Sequence, residues 1–355
     1  MTAASCLAGR RILVVGGAGF IGSNLVRAAL ADGCREVVLV DNLLSADRAN
    51  VPADARVTFV EGSIADDVVL GRLDPGPGAS IDYVFHLATF HGNQNSIADP
   101  LADHDNNLIT TLKLFERIRT WPRLAKVVYA ASGCTLAPHT WDHTEPTTED
   151  GPVPFELDSP YQISKVVGEI YSVYYHRQHG LPVVRARFQN VYGPGEILGA
   201  GQWRGTAATI WRNVTPVFIY RALRRLPLEL DNGGQATRDF IHVDDVVRGL
   251  VLAASRGEPG DVYNLASGVE TSILELARLV DELTGNPTPR EVRPRRTWDH
   301  AGKRVGSTDK AKRLLGFEAQ VGLGDGLERT IAWTRDHMPL IERSIANHAS
   351  RLPAG

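Results

Sequence analysis

An apolar run, Arg11-Ile-Leu-Val-Val15, passes straight into Gly16-Gly17-Ala18-Gly19-Phe20-Ile21-Gly22, and helical periodicity then continues from Ile21 to Asp32. Few features constrain a chain more. Glycines at this spacing between strand and helix let the backbone turn sharply and approach a ligand, and the last lets helix and strand pack closely. Gly16 and Gly19 hold the turning places and Gly22 the packing one. The helix start offers free N–H groups and the positive end of its dipole to an anion. The next strand-like run, Glu36 to Asp41, ends on a carboxylate 19 residues after Gly22. A carboxylate there can bond both hydroxyls of a ribose and repels a 2′-phosphate. The combination predicts a site for NAD rather than NADP, with Gly16, Gly19, Phe20, Ile21, Gly22, Asp41 and Asn42 as cofactor-binding residues.

The same alternation continues along the chain. Strand-like runs at Arg56–Glu61, Tyr83–Ala88, Lys126–Ala131 and Val183–Arg187 are separated by helical patterns at 107–120 and 161–179. Apolar strands alternating with helices predict an α/β fold, a doubly wound parallel sheet covered on both faces. Ser63 and Ile64, after the third strand, are candidates for adenine contact or a plain strand end, and Leu87 and Ala88 close the fourth strand beside the glycine turn. After Tyr192 the character changes. Residues 193–213 are rich in Gly, Trp and Arg and lack periodicity, as functional or mobile segments often do. Helical patterns at 273–284 and 308–315 are assigned to a smaller lobe. The expected organisation is a dinucleotide unit over 1–190 to which 236–268 returns. A second, smaller C-terminal α/β substrate lobe takes 191–235 and 269–340, and a disordered tail follows from 341 to 355.

Bulk properties exclude several classes. The formal net charge of -3 over 355 residues gives no field for nucleic acid or a membrane surface. The basic run Arg290–Arg296 is read as a solvated loop. Three cysteines form neither a disulfide framework nor a CxxC pair, so no metal site is expected. No apolar run is long enough for a membrane span, and no signal peptide is recognised, which predicts a reducing, cytoplasmic setting.

Two places carry candidate chemistry. The strand Lys126–Ala131 runs into Ser132-Gly133-Cys134-Thr135-Leu136-Ala137, with a hydroxyl and a thiol two positions apart. Downstream, Tyr161 and Lys165 stand at i, i+4, which puts both on one side of a helix. An ammonium beside a phenol favours phenolate, so this pair predicts a tyrosine able to take a proton from a substrate alcohol.

Together, GGAGFIG, DNL, VFHLA, YQISK, RFQNVYGP and TRDFIHVDD resemble the extended short-chain dehydrogenases that modify nucleotide sugars, over roughly 11–333. The resemblance implies a Rossmann-type domain holding NAD tightly and a smaller lobe for the sugar nucleotide. It implies a homodimer through two helices per subunit, here near 107–120 and 161–179. By the family pattern Tyr161 is the catalytic base and Lys165 its partner on the nicotinamide ribose. Ser132 bonds the sugar 4-OH and relays its proton. Asn190, Arg238 and Arg304 face the diphosphate, although after Arg304 the family's Pro-Asp reads Val305-Gly306 here.

The family's Ser/Thr-x-x-Val-Tyr-Gly pattern has drifted after Ser132. Its dehydratases and decarboxylases carry Glu two positions on, where this chain has Cys134. That absence argues against both reactions. The minimal set Ser132, Tyr161 and Lys165 suffices for 4-epimerisation. A thiol at the place of Cys134 also resembles GDP-mannose 3,5-epimerases, which pair it with a lysine from the following loop; 195–213 contains none. Cys134 therefore stands as a possible acid/base group or an inert thiol. His91, Arg204 and Arg212 are candidate hosts for a uronate carboxylate, which makes UDP-glucuronate to UDP-galacturonate the preferred pair, ahead of UDP-glucose to UDP-galactose. A non-catalytic NAD-binding regulator is the contrasting reading.

Overall fold

The computed structural model describes residues 6–76, 80–136, 140–142, 145–300 and 302–352. Ala137 of the serine–cysteine segment and the tail residues 353–355 lie outside them. In chain order the strands of the main body are β1 (Arg11–Val15), β2 (Glu36–Asp41), β3 (Val57–Glu61), β4 (Tyr83–His86), β5 (Lys126–Ser132) and β6 (Val183–Phe188). They are followed by β7 (Asn190–Tyr192), β8 (Glu229–Asp231), β9 (Thr237–His242), β10 (Val262–Leu265), β11 (Glu270–Ser272) and β12 (Glu291–Arg293). The large sheet has seven strands in the order β10-β6-β5-β4-β1-β2-β3, all parallel.

Side-chain alternation explains why these runs are apolar throughout. Ile12 and Val14 of β1, with Val37 and Leu39 of β2, enter one core with Leu25, Val246 and Leu250. Leu13 and Val15, with Val38 and Val40, enter the opposite core with Leu114, Phe115 and Tyr175. A strand buried on both faces has no polar face to show. Helices Phe20–Ala31 and Val243–Arg256 thus cover one face, and Thr110–Ile118 and Pro160–His179 the other. The helix Pro160–His179 begins with Ser159 accepting from the Gln162 N–H and ends on Gly180 in the left-handed region, both standard stops. The helical pattern at 107–120 starts earlier than expected, at Pro100, and passes through a π turn over Asp105–Ile109.

A second, three-stranded sheet has the order β11-β9-β7, and β8 pairs with β12. Phe218, Leu228, Phe240, Leu276 and Leu327 form its core. The chain is shared between the sheets differently from the expectation. Residues 237–242 form β9 of the small sheet, although Ile241 already enters the large core; the helix Val243–Arg256 packs on that core and β10 rejoins the large sheet at Val262. Conversely, helix Asp309–Leu315 packs on the large body, because Ala311, Leu315 and Phe317 enter its core.

The tail assignment is also corrected. Met338–Ala346 is a helix and Ala349–Arg351 a short 3-10 turn. Ile341 is 1% exposed and packs with Ile197, Leu198 and Ala200. Burial against a distant loop stabilises a helix too short to stand alone.

Candidate active site

The carboxyl ends of β1, β2, β4 and β5 open into one continuous cavity of about 650 Å³, which runs on to the small sheet. Its position follows from the strand order, which reverses between β1 and β4 and leaves a crevice there. Gly16, Gly19, Phe20, Ile21, Gly22, Asp41, Asn42, Ser63, Ile64, Leu87 and Ala88 all line it. Gly16 has φ +82°, and a Cβ there would sit 2.5 Å from the Ala88 nitrogen. At Gly22 a Cβ would be 2.1 Å from the Gly16 carbonyl oxygen. Gly16 and Gly22 are therefore required by close approach. Helix Phe20–Ala31 has no side-chain cap and no acidic residue in its first turn, so its N-terminal pole is left for an anion. The Asp41 carboxylate accepts from the Ala18 and Leu43 N–H groups at 3.0 and 2.9 Å, which fixes it at the cavity wall. Burial raises its pKa. A dinucleotide fits this donor set: a ribose at Asp41 and a pyrophosphate over Gly16–Gly22.

Ser132, Cys134, Tyr161 and Lys165 meet on the wall of the same cavity. β5 ends on Ser132, the 3-10 turn Gly133–Leu136 after it carries Cys134, and the helix Pro160–His179 delivers the others. Gly168 lets that helix lie against β5, for a Cβ would be 2.0 Å from the Tyr129 hydroxyl. Lys165 Nζ donates to the Ala130 carbonyl at 3.1 Å and lies 5.9 Å from the centre of the Tyr161 ring. The Ser132 hydroxyl contacts the Cys134 thiol at 2.9 Å.

The electrostatics differ from the expectation of a phenol lowered by its lysine. Burial pushes the Tyr161 pKa up, and a hydrogen bond with Ser132 offsets only part of that. Burial likewise pulls Lys165 down to about 8, against the opposing pull of Asp103. Desolvation outweighs pair attraction at both groups, Lys165 being buried at 4% exposure and Tyr161 half-buried on the cavity wall.

Asn190, Arg238 and Arg304 line the far part of the cavity. Asp299 bridges the two guanidinium groups, at 2.8 Å from Arg238 and 2.7 Å from Arg304. Arg304 Nε is buried without a partner, a donor still available to an anion.

The three candidate carboxylate hosts fare differently. His91 lines the cavity edge-on to the Tyr161 ring, with centroids 6.0 Å apart. Burial holds its pKa down at about 3, so it is neutral and carries no charge for a carboxylate. Arg212 lines the cavity but donates to the Ser45 and Ile197 carbonyls and faces Glu196 at 3.9 Å. Arg204 is a correction. It is 3% exposed, its Nη1 donates to Leu44 O and Ser45 Oγ and its Nη2 to Thr209 O, only Nε being without a partner, and it lies outside the cavity lining.

Comparison with known proteins gives the frame for this geometry. Residues 12–266 match the model of the NAD dependent epimerase/dehydratase family. The chain belongs to that family. It is 33% identical over 329 residues to a UDP-glucose 4-epimerase of Mycolicibacterium smegmatis, covering 92% of this chain and 99% of the relative. It is 29% identical to UDP-glucuronic acid decarboxylase 3 of Arabidopsis thaliana, covering 91% and 88%. Among solved structures, the Bordetella bronchiseptica enzyme WbmF in complex with NAD+ and UDP superposes with a TM-score of 0.87 at 56% identity, covering 98% of both chains.

As a member of the epimerase/dehydratase family the chain is an NAD-dependent enzyme of nucleotide-sugar chemistry. Among the described residues no helix is long and apolar enough to cross a membrane. Sequence reasoning missed several residues of this family member's cavity. Trp141, Arg295, Arg296 and Trp298 all line it. Arg295 lies over the Trp141 ring, 4.3 Å from its centre. The basic run 290–296 is thus partly a cavity wall. Its one legible signal was the tryptophan beside the arginines in Arg295-Arg296-Thr297-Trp298-Asp299.

Proposed function

We propose that this enzyme interconverts the 4-epimers of a UDP-sugar, with UDP-glucuronate and UDP-galacturonate the preferred pair. The observation that carries the reading is the shared cavity: Ser132, Tyr161 and Lys165 at one end, Arg238 and Arg304 at the other, and no carboxylate at 133 or 134. Its bound cofactor supplies a reversible hydride acceptor. Tyr161 takes the 4-OH proton with Ser132 as bridge, and Lys165 holds the cofactor ribose. Arg238 and Arg304 keep the diphosphate, with Asn190 beside them, while the 4-keto sugar turns over. Tyr161 then returns the proton to the 4-oxygen once the opposite face of carbon 4 has been presented for reduction. UDP bound to WbmF supports the choice of nucleotide.

The test is NMR of the protein with UDP-glucuronate in deuterated water. Inversion at carbon 4 without deuterium is the expected result. Deuterium at carbon 3 or 5 would replace this reading by proton-transfer epimerisation through Cys134, which the 2.9 Å Ser132–Cys134 contact makes the second reading. Loss of carbon dioxide would overturn both. Cys134→Ala is expected to keep at least about a third of wild-type kcat, since a thiol contact is a weak hydrogen bond.

With Arg204 removed from the candidates and Arg212 occupied, Arg295 is the cation we assign to the uronate carboxylate. A charge-assisted hydrogen bond of this kind contributes about 1.5–3 kcal/mol. Arg295→Met should lower kcat/KM for UDP-glucuronate at least about tenfold and leave UDP-glucose within about threefold. Equal losses for the two sugars would remove Arg295 from this role.

The exposed apolar face of helix Pro160–His179 supports a homodimer. Ile163, Ile170 and Tyr174 stand along one side of it, 49%, 61% and 49% exposed, beside Leu101 at 76%. Apolar side chains left in water along one face mark an interface. Sedimentation should give twice the 38.7 kDa chain mass, and Ile170→Asp should shift it towards the single chain.

A further inference from the structure

The segment 194–213 contains only one short 3-10 turn, yet Ile197, Leu198, Ala200 and Arg204 are 1–3% exposed. Holding so long an irregular loop in one conformation costs conformational entropy, so something must fix it. Its inner side is bonded to the turn that follows Asp41. Gln202 N–H and Arg204 Nη1 both donate to the Leu44 carbonyl, at 3.0 and 2.9 Å. Arg204 Nη1 also reaches Ser45 Oγ at 2.8 Å. Gly201, at φ +91°, comes so near that a Cβ would sit 2.3 Å from the Leu44 oxygen. Leu44 and Ser45 line the cavity together with Asp41 and Phe20.

The outer side is covered by the end of the chain. At Gly199, φ +74°, a Cβ would be 2.8 Å from the Ser344 backbone. His348 Nε2 lies 2.9 Å from the Gly199 carbonyl oxygen. Ile341 packs on Ile197 and Leu198. The loop is thus the middle layer of three, between the Leu44–Ser45 turn within and the C-terminal helix without.

We propose that 194–213 is a strap closing the dinucleotide groove, and that Arg204 on its inner side and His348 on its outer side hold it shut, so the bound cofactor leaves only when the strap lifts. Both are positioning residues, since neither lines the cavity. The proposal rests on the assignment of the Gly16–Asp41 groove to NAD, and it concerns retention of the cofactor rather than chemistry upon it.

The test uses the full chain with its bound cofactor. Isotopically labelled NAD is added in excess, and its exchange into the protein is followed by mass spectrometry, well below the melting temperature. Arg204→Ala should raise the exchange rate at least about tenfold and His348→Ala at least about threefold, as the loss of charged and of neutral hydrogen bonds to the closed strap allows. Val280→Ala, a cavity in the small-sheet core, controls for general destabilisation: it should lower Tm and leave exchange at the wild-type rate. Wild-type exchange rates in both strap variants would overturn the proposal, as would complete exchange of the wild type within the mixing time. If Arg204→Ala fails to fold, His348→Ala decides alone. A wild-type protein that binds no dinucleotide would instead remove the groove assignment itself.

Discussion

Tyr161→Phe should lower kcat by roughly 10²–10⁴ while KM for the nucleotide sugar stays within a few-fold. The ring remains, and with it the edge contact to His91 at 6.0 Å, so the cavity keeps its shape. Only the group that accepts and returns the proton is lost. The accompanying pH profile should identify the lysine. Burial holds Lys165 at about 8, so its ammonium persists below that value and is lost above it. In the wild type kcat/KM should fall as pH rises through 8, and Lys165→Met should lack that limb. Between pH 8 and the ordinary lysine value of 10.5 the unfolded chain binds a proton that the folded one has released. Stability contributed by this residue therefore grows with pH across that window. A Tyr161→Phe enzyme with near wild-type kcat would rule out the phenol as the acid/base group.

Gly16→Ala should empty the cofactor groove, and comparison with Gly33→Ala separates the two reasons a glycine can be required. Both residues have positive φ, +82° and +79°. A side chain in that region costs about 1–2 kcal/mol. At Gly33 nothing lies within 4 Å of the new Cβ, whereas at Gly16 the Ala88 backbone is 2.5 Å away and cannot rotate aside. Separating β1 from the end of β4 widens the floor on which the pyrophosphate rests. Gly33→Ala should lower Tm by a few degrees and purify with its cofactor. Gly16→Ala should lose a further 1–3 kcal/mol or so by overpacking and bind NAD at least about a hundredfold more weakly by calorimetry. Equal cofactor content in the two variants would show that close approach at Gly16 is not needed.

What could be read from the sequence was whatever depends on local geometry. The glycine turn, the Asp41 strand end and the Tyr161–Lys165 spacing express backbone conformation or helical pitch over a few residues. Both-face burial of β1 and β2 likewise leaves its mark as runs such as ILVV. What could not be read depends on distant partners. Arg204 and Arg295 are the same residue type, in segments of similar composition. One donates to the Leu44 carbonyl 160 residues away in sequence, and the other faces the cavity. Ile341 looked like tail because its helix is short, and packing on Ile197, Leu198 and Ala200 orders it. The sign of the Tyr161 shift also depended on enclosure, which no spacing reveals.

The contact between His348 and Gly199 has a consequence for how the molecule is made. The floor of the cofactor groove belongs to the first quarter of the chain and leaves the ribosome early. Tyr161 and Lys165 follow near the middle. The residues that cover 194–213, Ile341 to His348, are translated well after both, so during synthesis the groove floor is formed long before it can be shut. A nascent chain can therefore admit its cofactor from the side that the finished protein seals, and the closing contact, of long sequence separation, is suited to be a late step of folding.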